Sequence, residues 1–420
     1  MRRVLLALSA AITLLTGPAA AQEGDDRSRI VRFLENQLSD GARQVSIEGF
    51  RGALSATAEM DRLTIADAEG VWLTLEGAEL NWSRAALLRG ALQIDSLTAD
   101  RLEILRTPIS EPRLDLPPAE ATPFALPDLP VSISITSTAI ERVSLGASIL
   151  GTPVELAVEG SAQLAGGEGA VDLGITRLDG PRGVFDLAAG YANETRALSV
   201  SLLLEEDPGG IAATVLNIPD APALRLSVAG DAPIDDFTAE IALDSDGQTR
   251  LSGRVETSVL PDSGVRMVMA QLDGDISQLF LPEYRPFFGP DVALDTRLRL
   301  MPDGAVNLDT LSVTAAALRL NGTMALAPGG RPTAFALTGR IADPAGDGPV
   351  RLPIPDAEVT VDSADIVLSY DRATGDSYTA LALASGLDLG SSRIGTIRID
   401  ADGEIMDTPE GVALRTPLRV

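Results

Sequence analysis

The chain has 420 residues, 33 Lys+Arg against 60 Asp+Glu, a formal charge of −27, and neither Cys nor His; every cation is an Arg, since no Lys occurs. Without Cys and His there is no thiol nucleophile, no disulfide, no imidazole metal ligand and no Ser-His-Asp triad, and without Lys there is no Schiff base or phosphate-loop lysine. A charge of this sign and size repels phosphate backbones, so no nucleic-acid partner is expected, and what remains is a binding, transfer or structural protein, or an enzyme restricted to carboxylates, hydroxyls and Arg.

The N-terminus reads as an export signal. Arg2 and Arg3 precede an apolar run from Val4 to Leu15, Gly17-Pro18 breaks it, and Ala19-Ala20-Ala21 offers a small-residue cleavage site. The run is about 12 residues, short of the roughly 20 that span a bilayer. Residues 1–21 are therefore a signal peptide, with an uncleaved inner-membrane anchor as the rival. Next, Asp26 can cap a helix over Arg29 to Ser39, where Ile30, Phe33, Leu34 and Leu38 recur at helical spacing. Such a short amphipathic helix could pack on the first strands, or lie on a membrane surface through Arg27, Arg29 and Arg32.

From Val45 onward the period is two. Val71, Leu73 and Leu75 share one face of a strand; Val154, Leu156 and Val158 share another, as do Leu224, Leu226 and Val228. Leu311 with Val313, and Leu318 with Leu320, repeat the pattern. One apolar and one polar face is the mark of a half-solvated antiparallel sheet. Turn dipeptides punctuate the strands: Asp-Gly at Asp40, Asp179, Asp246, Asp273, Asp303, Asp347 and Asp402, and Asn-Gly at Asn321. The expected fold class is all-β, one long sheet of successive hairpins.

Two stretches break this rhythm. Thr107 to Pro130 holds seven prolines and reads as a loop or linker, since Pro cannot donate within a central ladder. It divides a first β unit (22–106) from a main body (131–420). Asp275 to Pro290 concentrates Phe280, Tyr284, Phe287 and Phe288 in a short span, either a helix and turn plugging the core or a lipid or partner contact.

Catalytic and metal signals are weak. A calcium loop starting at Asp244 would need Asn or Asp at 248 and Glu at 255; those positions are Gln248 and Val255, so a hairpin turn is expected there. The run Glu205-Glu206-Asp207 reads as a solvated strand end. No G-x-S-x-G or G-x-G-x-x-G pattern occurs. No catalytic residue, metal or cofactor is assigned, and a carboxylate-only enzyme on a β scaffold is the least favoured class.

An open sheet must hide its apolar face by packing on a second sheet, closing into a barrel or curling into a trough. A trough in an exported protein would meet acyl chains, each buried methylene gaining about 0.8 kcal/mol. The thirteen residues expected to line it are Val71, Leu73, Leu75, Val154, Leu156, Val158, Leu224, Leu226, Val228, Leu311, Val313, Leu318 and Leu320.

The stretch from Val45 to Pro108 resembles the N-terminal region of the TamB family, the translocation and assembly module subunit of Gram-negative bacteria. The resemblance rests on VSIEGFRGALS and on LTIADAEGVWLTLEGAELNWSRAALLRGALQIDSLTADRLEILRTP, with Gly49-Phe50-Arg51-Gly52, Asp67, Gly70, Trp72, Trp82 and Leu87-Leu88-Arg89-Gly90 as its key points. LPDLPVSISI, LPEYRPFFG and RLPIPDAEVTVDSADIVLSYD extend it over most of the chain. The resemblance implies an AsmA-like, bridge-type periplasmic protein whose long β-sheet curls into an apolar groove. It further implies transfer of phospholipid between inner and outer membranes, support of outer-membrane protein assembly, and a TamA-like outer-membrane barrel partner. Family members end in a β-domain that meets the barrel; nothing here resembles it, so the chain reads as an N-terminal fragment, anchored in the inner membrane if its signal is uncleaved. The rival reading is a scaffold that pairs outer-membrane strands with a sheet edge.

Overall fold

The computed structural model describes Glu35, Ser39 and residues 43–52, 55–109, 125–127, 129, 131–346, 348–355, 357–408, 411–415 and 418–419. The signal segment, nearly all of the helix expected over Arg29 to Ser39, most of the Pro-rich stretch, and the dipeptides at Asp40 and Asp347 lie wholly or partly outside these residues.

The chain forms two units. The first takes in residues up to 194, apart from 116–125, together with 204–207; the second takes in 116–125, 195–203 and everything from Pro208. In the first unit the strands are β1 (Gln44–Glu48), β2 (Thr57–Asp67), β3 (Gly70–Trp82), β4 (Ala91–Ile104), β5 (Ser132–Leu145), β6 (Val154–Ala165), β7 (Glu168–Arg177) and β8 (Gly183–Ala192). Two single-turn helices join them, α1 (Arg84–Leu87) and α2 (Ala147–Leu150). Strand β9 (Ala197–Glu206) is divided between the units.

The second unit opens with α3 (Ile211–Val215), then β10 (Leu224–Pro233), β11 (Asp236–Ser245), β12 (Gln248–Val259) and β13 (Arg266–Gly274). A 3₁₀ turn (Ser277–Leu279) and α4 (Arg285–Phe288) lead into β14 (Val292–Leu300), β15 (Val306–Thr314), β16 (Leu318–Leu326) and β17 (Pro332–Ala342). Two-residue strands β18 (Val350–Arg351) and β19 (Thr360–Val361) precede β20 (Ser363–Asp371), β21 (Ser377–Asp388) and β22 (Arg393–Thr408). The short β23 (Gly411–Arg415) and β24 (Leu418–Arg419) both pair with β22.

The expected all-β class and its long antiparallel sheet are what the chain adopts. Neighbours in sequence pair antiparallel from β1 to β4, from β5 to β8 and from β10 to β17, and β17 then pairs with β20. The expected curl is where the structure departs. Within each unit the sheet runs as an open ladder, each long strand bonded to its neighbours, and most of its apolar face is not folded against a second layer.

Two further findings concern the connections between strands. First, the strands flanking the Pro-rich stretch pair with each other: β4 and β5 run parallel, from Ala91 opposite Ser132 to Ile104 opposite Leu145. A tight hairpin cannot join parallel strands, whereas a connection of this length can. The Pro-rich stretch thus connects two strands that lie side by side. Second, three of the supposed turn dipeptides lie inside strands: Asn321-Gly322 in β16, Asp273-Gly274 in β13 and Asp402-Gly403 in β22. Their glycines serve close approach. A Cβ on Gly403 would lie 2.4 Å from the Tyr378 ring opposite it, so the missing side chain makes room for an aromatic. Asp246-Gly247 does form the β11–β12 hairpin. Asp246 at φ 51° and Gly247 at φ 73° supply the two positive φ values of a type I′ turn.

A slip in alternation runs across the first unit. On β3 the apolar positions go from Leu73 and Leu75 to Ala78 and Leu80, and Gly77 between them sits at φ 62°. Leu63 and Met60 on β2, and Leu102 and Ala99 on β4, slip at the same level, so the pairing survives. Strand β6 keeps strict alternation, and two bulges against β5 absorb the difference.

Candidate functional site

The feature that unites the chain's apolar residues is one face of the sheet in each unit. Residues paired across a ladder share a face, so the registers trace it. In the first unit one row runs Ile47, Leu63, Leu75, Leu102, Val143, Leu156, crossing β1 to β6. A second runs Ala99, Ile140, Val158, Ile175, Phe185, crossing β4 to β8.

In the second unit a row starts at Val228 and passes Ile241, Gly253, Leu272, Leu294 and Val313. It continues through Leu320, Gly339, Ile366 and Ala382 to Ile399 on β22. Eleven strands therefore present apolar or glycine positions side by side. The row ending in Met324, Phe335, Tyr370 and Tyr378 lies beside it, toward the other end of the strands.

All thirteen residues expected from alternation fall on these faces. Leu73 stands between Ile65 and Ile104, and Leu75 between Leu63 and Leu102. Val71 follows a bulge opposite Ala66 and is 42% exposed. Val154, Leu156 and Val158 meet Leu145, Val143 and Ile140. Leu224, Leu226 and Val228 meet Ser245, Leu243 and Ile241. Leu311 and Val313 meet Gly322 and Leu320, while Leu318 meets Ile341. The registers connect the β3 group to the β6 group within the first unit, and the β10 group to the β15 and β16 residues within the second.

Cover is where the structure sorts them. Leu224 is buried with Ala213 of α3 and Ile218. Leu318, Ile341 and Ala364 pack against a cluster of Phe287, Ala317, Val350 and Val361. The aromatic-rich segment thus acts as the plug: Phe287 is buried, Phe280 stacks on Phe288 with centroids 3.9 Å apart, and the Tyr284 hydroxyl donates to the Ile354 carbonyl at 2.8 Å. Away from these covers the face is open, with Ile366 44% and Met324 40% exposed. Leaving a large aliphatic side chain in water forgoes about 1.5–3 kcal/mol relative to full burial.

Alternation did not single out Phe237, Phe335, Tyr370 and Tyr378, which populate one end of the second unit's face. Their signal was present as Phe335 with Leu337 and as Ile366, Leu368 and Tyr370, the same period-two pattern with an aromatic at its end. Tyr370, Tyr378 and Ile405 form a small buried cluster there.

The opposite face is polar and cross-linked. Arg299 grips Asp309 with two bonds of 2.5 and 2.6 Å, holding that carboxyl below the usual range. A depression of about 750 Å³ opens beside this pair, lined on the polar face by Thr323, Ala325, Ala334, Ala336, Ser369 and Thr379. In the first unit the Asp67 carboxylate accepts from both terminal nitrogens of Arg106 and from the Ile109 and Glu69 amides. The Arg106 guanidinium, more than any other contact, holds this carboxyl far below its ordinary value. This knot ties the β2–β3 turn to the start of the Pro-rich crossover. Among the described residues, no three acids gather in a group that could hold a metal ion.

The β1 edge is occupied as well. The Val45 and Ile47 amides donate to Ser39 Oγ (2.9 Å) and Glu35 Oε1 (2.8 Å). Among the described residues no helix is long and apolar enough to cross a membrane. No protein-family model, no curated protein and no solved structure matches this chain.

Proposed function

We propose that this chain is a non-enzymatic periplasmic protein of envelope biogenesis, of the TamB kind. In this reading it shields phospholipid acyl chains on the apolar face of its sheet as they pass between the inner and outer membranes. It does so beside a TamA-like outer-membrane barrel protein, in support of outer-membrane protein assembly. The observation that carries the reading is the unbroken row from Val228 to Ile399, apolar or glycine on eleven successive strands and only partly covered. A row of this kind has no polar group to fix a ligand's register. An acyl chain laid along it would gain about 0.8 kcal/mol for each methylene buried and could slide at little cost. The export signal and the family resemblance agree with that assignment.

The test is purification of the protein from the periplasm without detergent, followed by native mass spectrometry. Phospholipid in defined stoichiometry is expected, and Leu320→Asp is expected to lose it while remaining folded. A stable, lipid-free wild-type protein would remove the lipid reading. The rival scaffold, which needs a free sheet edge, has against it at the β1 edge the Ser39 and Glu35 side chains already bonded to that strand.

A further inference from the structure

One residue of the crossover is held on the apolar face of the first unit by a device that ignores its side chain. Leu126 N–H donates to Asn193 Oδ1 at 2.8 Å, and Asn193 Nδ2 donates to the Leu126 carbonyl at 2.9 Å. Asn193 is itself fixed, because its backbone N–H donates to the Gly167 carbonyl at 2.9 Å. Both backbone groups of Leu126 are therefore satisfied by one anchored amide, much as a neighbouring strand would satisfy them.

The Leu126 side chain then fills a notch. Gly169 lies in the row Leu164, Gly169, Tyr191 on the apolar face. A Cβ placed on Gly169 would stand 2.8 Å from Leu126 Cδ1 and 3.5 Å from Leu164 Cδ1. The glycine thus leaves a space one side chain deep, and a branched aliphatic group occupies it.

We infer that Leu126 is a built-in competitor for the acyl chain: it occupies the Gly169 notch until a lipid chain displaces it, and the Asn193 amide sets how readily that happens. The inference rests on the lipid reading above. A methyl-for-methyl exchange on an apolar surface costs little, so the balance is set by the two hydrogen bonds of the Asn193 amide.

The experiment uses the full-length protein and a diazirine-bearing palmitate analogue, with photolabelled peptides mapped by mass spectrometry. Asn193→Ala releases the backbone; Leu126→Gly keeps the clamp and empties the notch, which preserves a test if the first variant folds poorly. Both should raise labelling of peptides spanning 164–191 about threefold or more, as expected when a competitor that holds the site most of the time is removed. Labelling of peptides spanning 320–368 should stay unchanged. Equal labelling at 164–191 in wild type and both variants, with strong labelling at 320–368, overturns the competitor and leaves the lipid reading standing. No labelling of any peptide in any of the three proteins overturns both.

Discussion

Ala364 and Ile366 lie two residues apart on β20, on the same face, yet they live in different surroundings. Ala364 packs against the cluster of Phe287, Ala317, Val350 and Val361, where Val361 is 1% exposed. Ile366, flanked by Gly339 and Ala382, is 44% exposed. Alternation assigns a residue to a face and says nothing of what lies above it. At one end of the second unit the connections supply a lid of side chains; two residues further along nothing among the described residues does. The covered end is built for stability, and the open stretch is the part of the face left available.

The sharpest way to break this contrast is to empty the cover. Phe287→Ala should cost about 3–5 kcal/mol, the usual loss for deleting a buried ring, read as a lower urea midpoint. A loss under about 1 kcal/mol would mean that the cluster is not a core. Next comes a charge swap on one strand. Leu318→Asp, half-buried against the cover, should destabilise by about 2–3 kcal/mol because a carboxylate without a partner replaces an apolar contact of the cluster. Leu320→Asp, half-buried as well but outside the cluster, should cost less, about 1 kcal/mol. Equal losses at the two positions would erase the distinction.

A smaller effect is expected where backbone, not cover, is at stake. Gly77 holds φ 62°, and a Cβ there would stand 2.0 Å from Asp100 Oδ2. Gly77→Ala should cost about 1–3 kcal/mol through strain at a positive φ, seen as a lower melting temperature.

The smallest effect is confined to acid. The Asp67 carboxyl, held low chiefly by Arg106, contributes stability that is fully present above the unfolded value of about 3.9. That contribution fades as pH falls through the depressed folded value, because the unfolded chain then binds the proton first. Asp67→Asn should remove this part of the acid sensitivity, giving a flatter plot of urea midpoint against pH below about pH 4. A plot parallel to that of the wild type would show that the Arg106 knot contributes nothing to folding.

Much of the site was legible beforehand because strand alternation is a local property. Leu73, Leu156, Leu226 and Val313 could be placed on an apolar face from their immediate neighbours alone. The glycine dipeptides were misleading for the same reason: Asn321-Gly322 has the composition of a turn, but its glycine makes room in mid-strand for the Leu337 side chain opposite it. No local pattern records what an opposing strand needs. Alternation runs through the Phe335–Tyr370 end of the face as well, but it does not record the weight of that end, which comes from Tyr378 and Ile405 gathering there.

The class of structure, the strand faces and the acidic, thiol-free chemistry follow from residue type and a period of two, and so are written in the chain itself. Which faces are covered, and the parallel pairing of β4 with β5 across the crossover, come from the folded molecule. It alone set Leu126 in the Gly169 notch. Those outcomes depend on contacts between residues far apart in the chain, such as Asn193 with Leu126 and Phe287 with Val361, and burial is a property of what comes from elsewhere to lie on top.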